Sequence, residues 1–456
     1  MMRRWIAALC FYLASLAAQA QMMPDIVNAG AGFIPCTVNC MVTPILQNGV
    51  GASLNATPTF SGFFSGPANG TMTTRTSAMS IFGTVSALQV SAAGGATGIT
   101  TNNVTYTLYK NGVATALQCS VGNGGGANPG TALLCSDTNS ADNVSFVPGD
   151  TLVWGVAALN GTATGSAPNV LGALVTSTVG QESMVGNSVQ APSTTAIMYS
   201  SPAANNTVFS TDIVASVIMP TAGTFDHWRG QFFASLGGGK LEVSLFKNGV
   251  KTALDVACTG GTTCAELTDS VAVVAGDTVS LQLCPGGVAG CVAGSAASGT
   301  FLNWSMRWVP TTPNQALALT IPGQSFPTAS ASTVSGALNG GNYAITSDLG
   351  FRNMMPVLPS TITFSNLWVA QCPGPDSTGT GSVSRSLVTR LNAVTQTLAV
   401  TLPGTAINAC PTLTVAHDST HSFTTNSAGL VGIQTAPSAA TVATTVFKTG
   451  AVVTVP

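Results

Sequence analysis

Charge is what this chain most lacks. Only 6% of its 456 residues are Asp, Glu, Lys or Arg, against about 25% in an ordinary soluble domain. No basic stripe is present to neutralise phosphates, so a nucleic-acid partner is not expected. Aromatic residues are equally sparse at 6% and form no paired girdles, so a membrane β-barrel is not expected. No run beyond residue 20 reaches the roughly 18 apolar residues of a spanning helix, and membrane insertion is not expected.

Chemistry-bearing residues are also few. The fifteen carboxylates are scattered, with no close pair for general acid–base work. No G-x-S-x-G elbow occurs. The Gly-Gly-Gly-Lys at 237–240 lacks the first glycine of a phosphate loop and is followed by Leu241. Of the three histidines, His417 and His421 have the i,i+4 spacing that binds zinc from a helix. They lie in a Thr/Ser/Val-rich stretch that reads as strand and loop, where such residues stand roughly 13 Å apart. No enzyme activity, cofactor or metal is expected.

What the chain does have is apolar and turn-forming material: 45% hydrophobic residues and 50 glycines. That supplies a core and excludes disorder. Residues 108–113 read Leu-Tyr-Lys-Asn-Gly-Val, and 245–250 read Leu-Phe-Lys-Asn-Gly-Val. Asn-Gly between strand-like runs predicts a hairpin closed by a type I′ turn, which needs φ > 0 at both central residues. Val104, Tyr106 and Leu108 alternate with Thr105 and Thr107, as Leu241, Val243 and Leu245 do with Glu242 and Ser244. Period two predicts one buried and one solvated face.

A second echo follows each hairpin, Pro-Gly-Asp-Thr at 148–151 and Ala-Gly-Asp-Thr at 275–278. Asn111 to Gly149 spans 38 residues and Asn248 to Gly276 spans 28. The extra ten are accounted for between Cys119 and Cys135, in the Gly-rich loop 122–130. Asp150 and Asp277 read as turn residues, with calcium ligation the rival reading. A degenerate third copy places Asn392-Ala393 at the turn, with Arg385 and Thr389 at inward positions. The fold class expected is all-β, three tandem β-sandwich or jelly-roll modules.

Residues 1–20 read as a signal peptide, with Arg3 and Arg4 ahead of an apolar stretch and Ala18-Gln19-Ala20 at its end. Its removal leaves 11 basic against 15 acidic residues, a net charge of −4. The expected divisions are an N-terminal arm at 21–56 and modules at 57–180, 193–310 and 315–456. The arm reads as a stapled strand or as a segment pairing with a neighbouring molecule's sheet edge. The connector 180–192 reads as a polar loop.

Ten cysteines remain, an even count that favours disulfides in an exported chain. The repeat pairs Cys119 with Cys135 and Cys258 with Cys264. Proximity pairs Cys36 with Cys40 and Cys284 with Cys291, leaving Cys372 and Cys410 for each other.

The pattern Leu-Tyr-Lys-Asn-Gly-Val … Cys … Cys-Ser-Asp-Thr … Gly-Asp-Thr resembles jelly-roll modules of bacterial secreted and surface proteins, similar to TNF-like trimeric heads. The resemblance implies oligomerising, non-enzymatic surface proteins, and no functional residue transfers with it.

The function expected is a secreted structural protein of an extracellular fibre, coat or appendage, associating with itself; low charge gives weak colloidal repulsion. The alternative is an adhesin binding surface glycans. Its candidate tip is His227, Trp228 and Arg229, beside Asp226 in the densest polar-aromatic cluster, although a packed loop preceding a strand fits the same residues. Trp304, Trp308 and Trp368 are further candidate platforms, or core.

Overall fold

The computed structural model describes residues 41–48, 57–63, 71–93, 103–121, 132–158, 169–177, 179–188, 191–203, 216–297, 301–319, 325–326, 334–336, 361–372, 381–392, 394–406, 413–425, 431–437 and 445–455. Helix among them is confined to single turns at Met72–Arg75 and Ser140–Asp142. The chain is all-β.

The strands fall into three successive blocks. The first holds β1 (Met41–Asn48), β2 (Thr59–Ser61), β3 (Ser77–Ala78), β4 (Gly83–Ala93), β5 (Val104–Lys110), β6 (Val113–Val121), β7 (Ala132–Asp137), β8 (Val144–Phe146), β9 (Thr151–Ala158) and β10 (Asn169–Ser177). The second holds β11 (Glu182–Asn187), β12 (Met198–Ser200), β13 (Val217–Ile218), β14 (Gly223–Phe232), β15 (Lys240–Lys247), β16 (Val250–Thr259), β17 (Thr263–Val273), β18 (Thr278–Pro285) and β19 (Leu302–Pro310). The third holds β20 (Ala316–Leu319), β21 (Ser325–Phe326), β22 (Val334–Gly336), β23 (Thr363–Cys372), β24 (Arg385–Leu391), β25 (Val394–Leu402), β26 (Thr414–Thr424), β27 (Val431–Pro437) and β28 (Thr445–Thr454).

Each block builds two antiparallel sheets of one order: β1-β10-β4-β7 with β2-β9-β5-β6, β11-β19-β14-β17 with β12-β18-β15-β16, and β20-β28-β23-β26 with β22-β27-β24-β25. Counting eight principal strands per block, the sheets run 1-8-3-6 and 2-7-4-5, the jelly-roll order. Val85, Leu88 and Val90 of one sheet share a buried cluster with Tyr106, Leu108 and Trp154 of the other, so the sheets are stacked on a common core. In the second block Trp228, Trp304 and Trp308 fill that role. Space for them is reserved by glycine: a Cβ on Gly186 would stand 2.2 Å from Trp304, and one on Gly230 2.3 Å from Trp228. Deleting such an indole from a core costs about 3–5 kcal/mol.

Several expectations need correction. Residues 41–48 form a strand as expected, but it belongs to the first block, as its first strand paired with β10, and not to a separate arm. Residues 182–187, expected in a polar loop, form β11, all of it buried and paired with β19. Residues 41–45 of β1 and all of β11 are covered on both faces, so neither stretch shows period-two alternation. The 226–229 cluster lies inside β14 rather than ahead of a strand. Glu242 and Ser244, expected on a solvated face, are buried.

The blocks pack against one another. Between the first and second, Asn303 Nδ2 donates to Thr76 O at 2.6 Å, Ser80 N donates to Ser183 Oγ at 3.2 Å, and the Ser80 and Ser305 hydroxyls meet at 2.5 Å. Between the second and third, Lys448 Nζ donates to Ser216 Oγ and Asn366 Nδ2 to Pro220 O. These are the same junction. Thr76 and Ser216 each precede by three residues the methionine that bonds the block's Gly-Asp turn, Met79 and Met219. Asn303 and Lys448 each face the fourth residue beyond a left-handed backbone kink, at His227 and Asn366. Strand β1 also touches β20 and β28, which brings the first block against the third.

Glu182 lies buried at the second of these junctions, its Oε2 accepting from Leu317 N at 2.9 Å. Burial pushes its carboxyl up to about 8, against the opposing effect of that hydrogen bond. The folded state therefore holds a proton that the unfolded chain releases near pH 4.3. Stability is predicted to fall as pH rises from about 4.5 to about 8. Glu182→Gln should remove that slope and melt several degrees higher at pH 9. Thermal melts of the two proteins that stay parallel across the range would refute the assignment.

Candidate functional site

The recurring sequence signature closes into one local structure, which we term the clasp. In the first block Asn111 and Gly112 take φ of 51° and 81°, and in the second Asn248 and Gly249 take 51° and 79°. These are the left-handed angles of a type I′ turn, open to Asn and Gly at little cost. The asparagine side chain then reaches the Gly-Asp turn. Asn111 Nδ2 donates to Asp150 Oδ1 at 2.7 Å, and its Oδ1 accepts from Thr151 N at 2.8 Å. Asn248 repeats this with Asp277 at 2.6 Å and Thr278 N at 2.8 Å. The other aspartate oxygen accepts from Val147 N or Val274 N, 2.9 and 2.8 Å away, and from Lys110 or Lys247 at 2.9 and 3.0 Å. The backbone of Met79 or Met219 completes the set by bonding both residues of the Gly-Asp pair.

Lys-Asn-Gly and Gly-Asp-Thr therefore recur because they are two halves of one connection between turns. Burial acts to raise the carboxyls of Asp150 and Asp277, but hydrogen bonds from the asparagine, the lysine and the backbone outweigh it and hold both below the ordinary carboxylate range. The lysine amine and the valine N–H satisfy one aspartate oxygen and the asparagine amide the other, leaving neither for a calcium ion, which favours the turn reading.

The ligand-tip candidates are dispersed. Trp228 is buried in the core. His227 sits at the β14 kink with φ of 50°, its Nδ1 3.2 Å from Asp226 Oδ1. Arg229, half-buried, faces Ala265 across the sheet. Asp226 instead takes a bidentate pair from Arg307, both contacts 2.6 Å. Trp304 and Trp308 are core residues too. Trp368 is half-buried and stacks on His417 with centroids 4.3 Å apart.

The two remaining histidines do not converge. His417 belongs to that stack, whereas His421 Nδ1 lies 3.0 Å from Asp418 Oδ2. Burial acts to raise the Asp418 carboxyl, but donors from Ala399, Thr420 and His421 outweigh it and hold it at about 2. Among the described residues no group of three or more His, Cys, Asp or Glu is placed to hold a metal ion.

Sequence reading missed a polar row across the second block. Tyr199, Gln282, Ser244 and Asp255 are consecutive cross-strand partners from β12 to β16. They lie on the face opposite Val243 and Leu245. Gln282 donates to the Tyr199 hydroxyl at 3.0 Å and Ser244 to Asp255 at 2.8 Å. Lys251 bridges Asp255, at 2.8 Å, and Glu242. Beside the row Tyr199 meets Phe246 edge to face at 6.0 Å, as Phe60 meets Tyr109 at 5.2 Å in the first block. Only a two-residue sampling of 242–246 aligned with that of 280–282 would have signalled it.

Disulfides join Cys119–Cys135, Cys258–Cys264 and Cys284–Cys291. The first two cross from one sheet to the other in their blocks. They are not strictly equivalent: Cys119 faces Tyr106, whereas Cys258 faces Leu241, one inward position further along. Cys36, Cys40 and Cys410 lie outside the described residues, as does the side chain of Cys372, and so do residues 1–20. Three disulfides fit an oxidising, extracellular setting. No helix among the described residues is long and apolar enough to cross a membrane.

No protein-family model matches this chain, and no curated protein matches it. Among solved structures it is matched to PNGF-II in a C2 crystal form, 9% identical over 80% of this chain and 98% of that one, TM-score 0.21. A P21 form of PNGF-II is 10% identical over 82% and 99%, TM-score 0.19. Likeness at that level carries no argument.

The clasp is expected to be structural. Asn248→Ala should cost about 2–3 kcal/mol in urea unfolding, since it leaves Asp277 Oδ1 and Thr278 N without the bonds Asn248 makes to them. Because Asp150 and Asp277 are depressed, their contribution should be complete above about pH 4 and lost as pH falls below it. Asp277→Asn should shrink that acid-side loss. An Asn248→Ala protein as stable as the parent would show that the clasp does not hold the turns.

Proposed function

We propose that the chain is an exported, non-enzymatic structural protein whose three blocks close around a pseudo-threefold axis, a single-chain counterpart of TNF-like trimeric heads. It associates with itself to build an extracellular fibre, coat or appendage. The observation that carries this reading is the repeated junction, with Asn303 on Thr76 and Lys448 on Ser216. The same contact recurs from the first block to the second and from the second to the third, and the contact of β1 with β20 and β28 supports closure of the ring. Three disulfides and the signal-like residues 1–20 support export. Electron microscopy of the mature protein should show three-lobed particles that assemble further under some condition. Extended rods of three beads, or particles dispersed under every assembly condition, would contradict the proposal.

The polar row beside Tyr199 and Phe246 favours a second reading, glycan binding by a surface adhesin. Half-buried aromatic rings near the partly exposed Lys251 and Asp255 side chains suit a sugar, which offers apolar ring faces and hydroxyls together. A glycan array should then give saturable binding that Tyr199→Ala abolishes. An array without signal removes this reading.

A further inference from the structure

The outer surface of the clasp is apolar in the first two blocks, and the corresponding hairpin of the third carries an exposed valine at the same place. The residue after each turn is an exposed valine: Val113 at 68%, Val250 at 68% and Val394 at 63% exposure. Val147 and Val274, whose N–H groups bond the clasp aspartates, are also exposed, as is Phe82 beside the β4–β8 pairing. Six of the eleven most exposed large hydrophobic side chains among the described residues thus lie at the clasp end of their sandwiches. The lysines there, Lys110 and Lys247, are neutralised in place by Asp150 and Asp277. A concentrated set of exposed apolar side chains on a surface of low charge marks an association site.

We propose that the clasp end docks on the same end of a second copy of this chain. The inference rests on the structural, self-associating role proposed above, and adds the surface and the partner. Under the pseudo-threefold relation the three valine tips form one three-pointed surface. A second copy turned over presents the same three points at the same spacing, so a single tip-to-tip contact is satisfied three times. Charge opposes it little, with a formal net charge of only −4 on the mature chain, 11 basic against 15 acidic residues, and the turn lysines internally paired. A standard interface needs roughly 800 Å² from each partner. Two apolar clusters, the Val394 tip and the polar turn residues between them suit that size better than any one cluster alone.

The test is sedimentation velocity of the mature chain over a wide concentration range, with two sets of variants. Val113→Lys, Val250→Lys and Val394→Lys together place three like charges at the tips, and should weaken self-association at least 100-fold. Replacing the same valines with threonine, close in shape, should weaken it less. Leu134→Lys with Val415→Lys, exposed on other strands, should associate as the parent does. The tip residues are solvent-facing, so the melting temperature should stay near the parent value in every variant. Association that survives both tip variants overturns this inference and leaves the structural role standing, with its contact elsewhere. A parent chain that stays monomeric at every concentration overturns both.

Discussion

An asparagine side chain that holds two turns together is the interaction on which each well-formed block depends. A left-handed turn of Asn and Gly is common in hairpins. Here its amide also bonds the aspartate and the following N–H of a second turn, some thirty to forty residues away. That connection places strand 4 beside strand 7 at the register in which Leu108 meets Trp154 and Leu245 meets Leu281. A one-residue slip would turn the inward set outward. The lysine before the asparagine neutralises the aspartate, so a partly buried charge is balanced at the point where the chain reverses.

A second device recurs on the other sheet. Ala87, His227 and Asn366 each take φ near 50° in mid-strand, and each marks a break in the ladder to a neighbouring strand. A bulge of this kind bends the strand and increases its twist. Opposite it stands an acid, Asp137, Glu266 or Asp418, whose oxygen accepts from backbone N–H groups just beyond. The kink sits beside the junction, where Asn366 reaches Pro220 of the preceding block. The packing of blocks therefore draws on features internal to each block.

The hairpins, the alternation of β5 and three of the expected disulfides were legible because each depends on residues close in sequence or on a repeated spacing. The strand at β1 was also legible, but not its place in the first block, and β11 was not legible at all. Their residues are covered by a neighbouring block on the face that would otherwise be wet, so Glu182, Ser183 and Asn187 look like loop residues and are buried strand. The cluster at 226–229 misled for a related reason. Charge and aromatic character stand together in the sequence, but alternate residues of β14 point to opposite faces, and Trp228 enters the core while Arg229 does not.

The sequence by itself determined the all-β class, the two Asn-Gly turns and the pairing of cysteines a few residues apart, because backbone preference and short-range spacing decide those. Tertiary structure alone decided which polar residues are buried, which tryptophans are core, and how one block sits on the next. Those outcomes turn on contacts between residues more than a hundred positions apart, such as Ser80 with Ser305 and Thr76 with Asn303. No local pattern encodes such a contact.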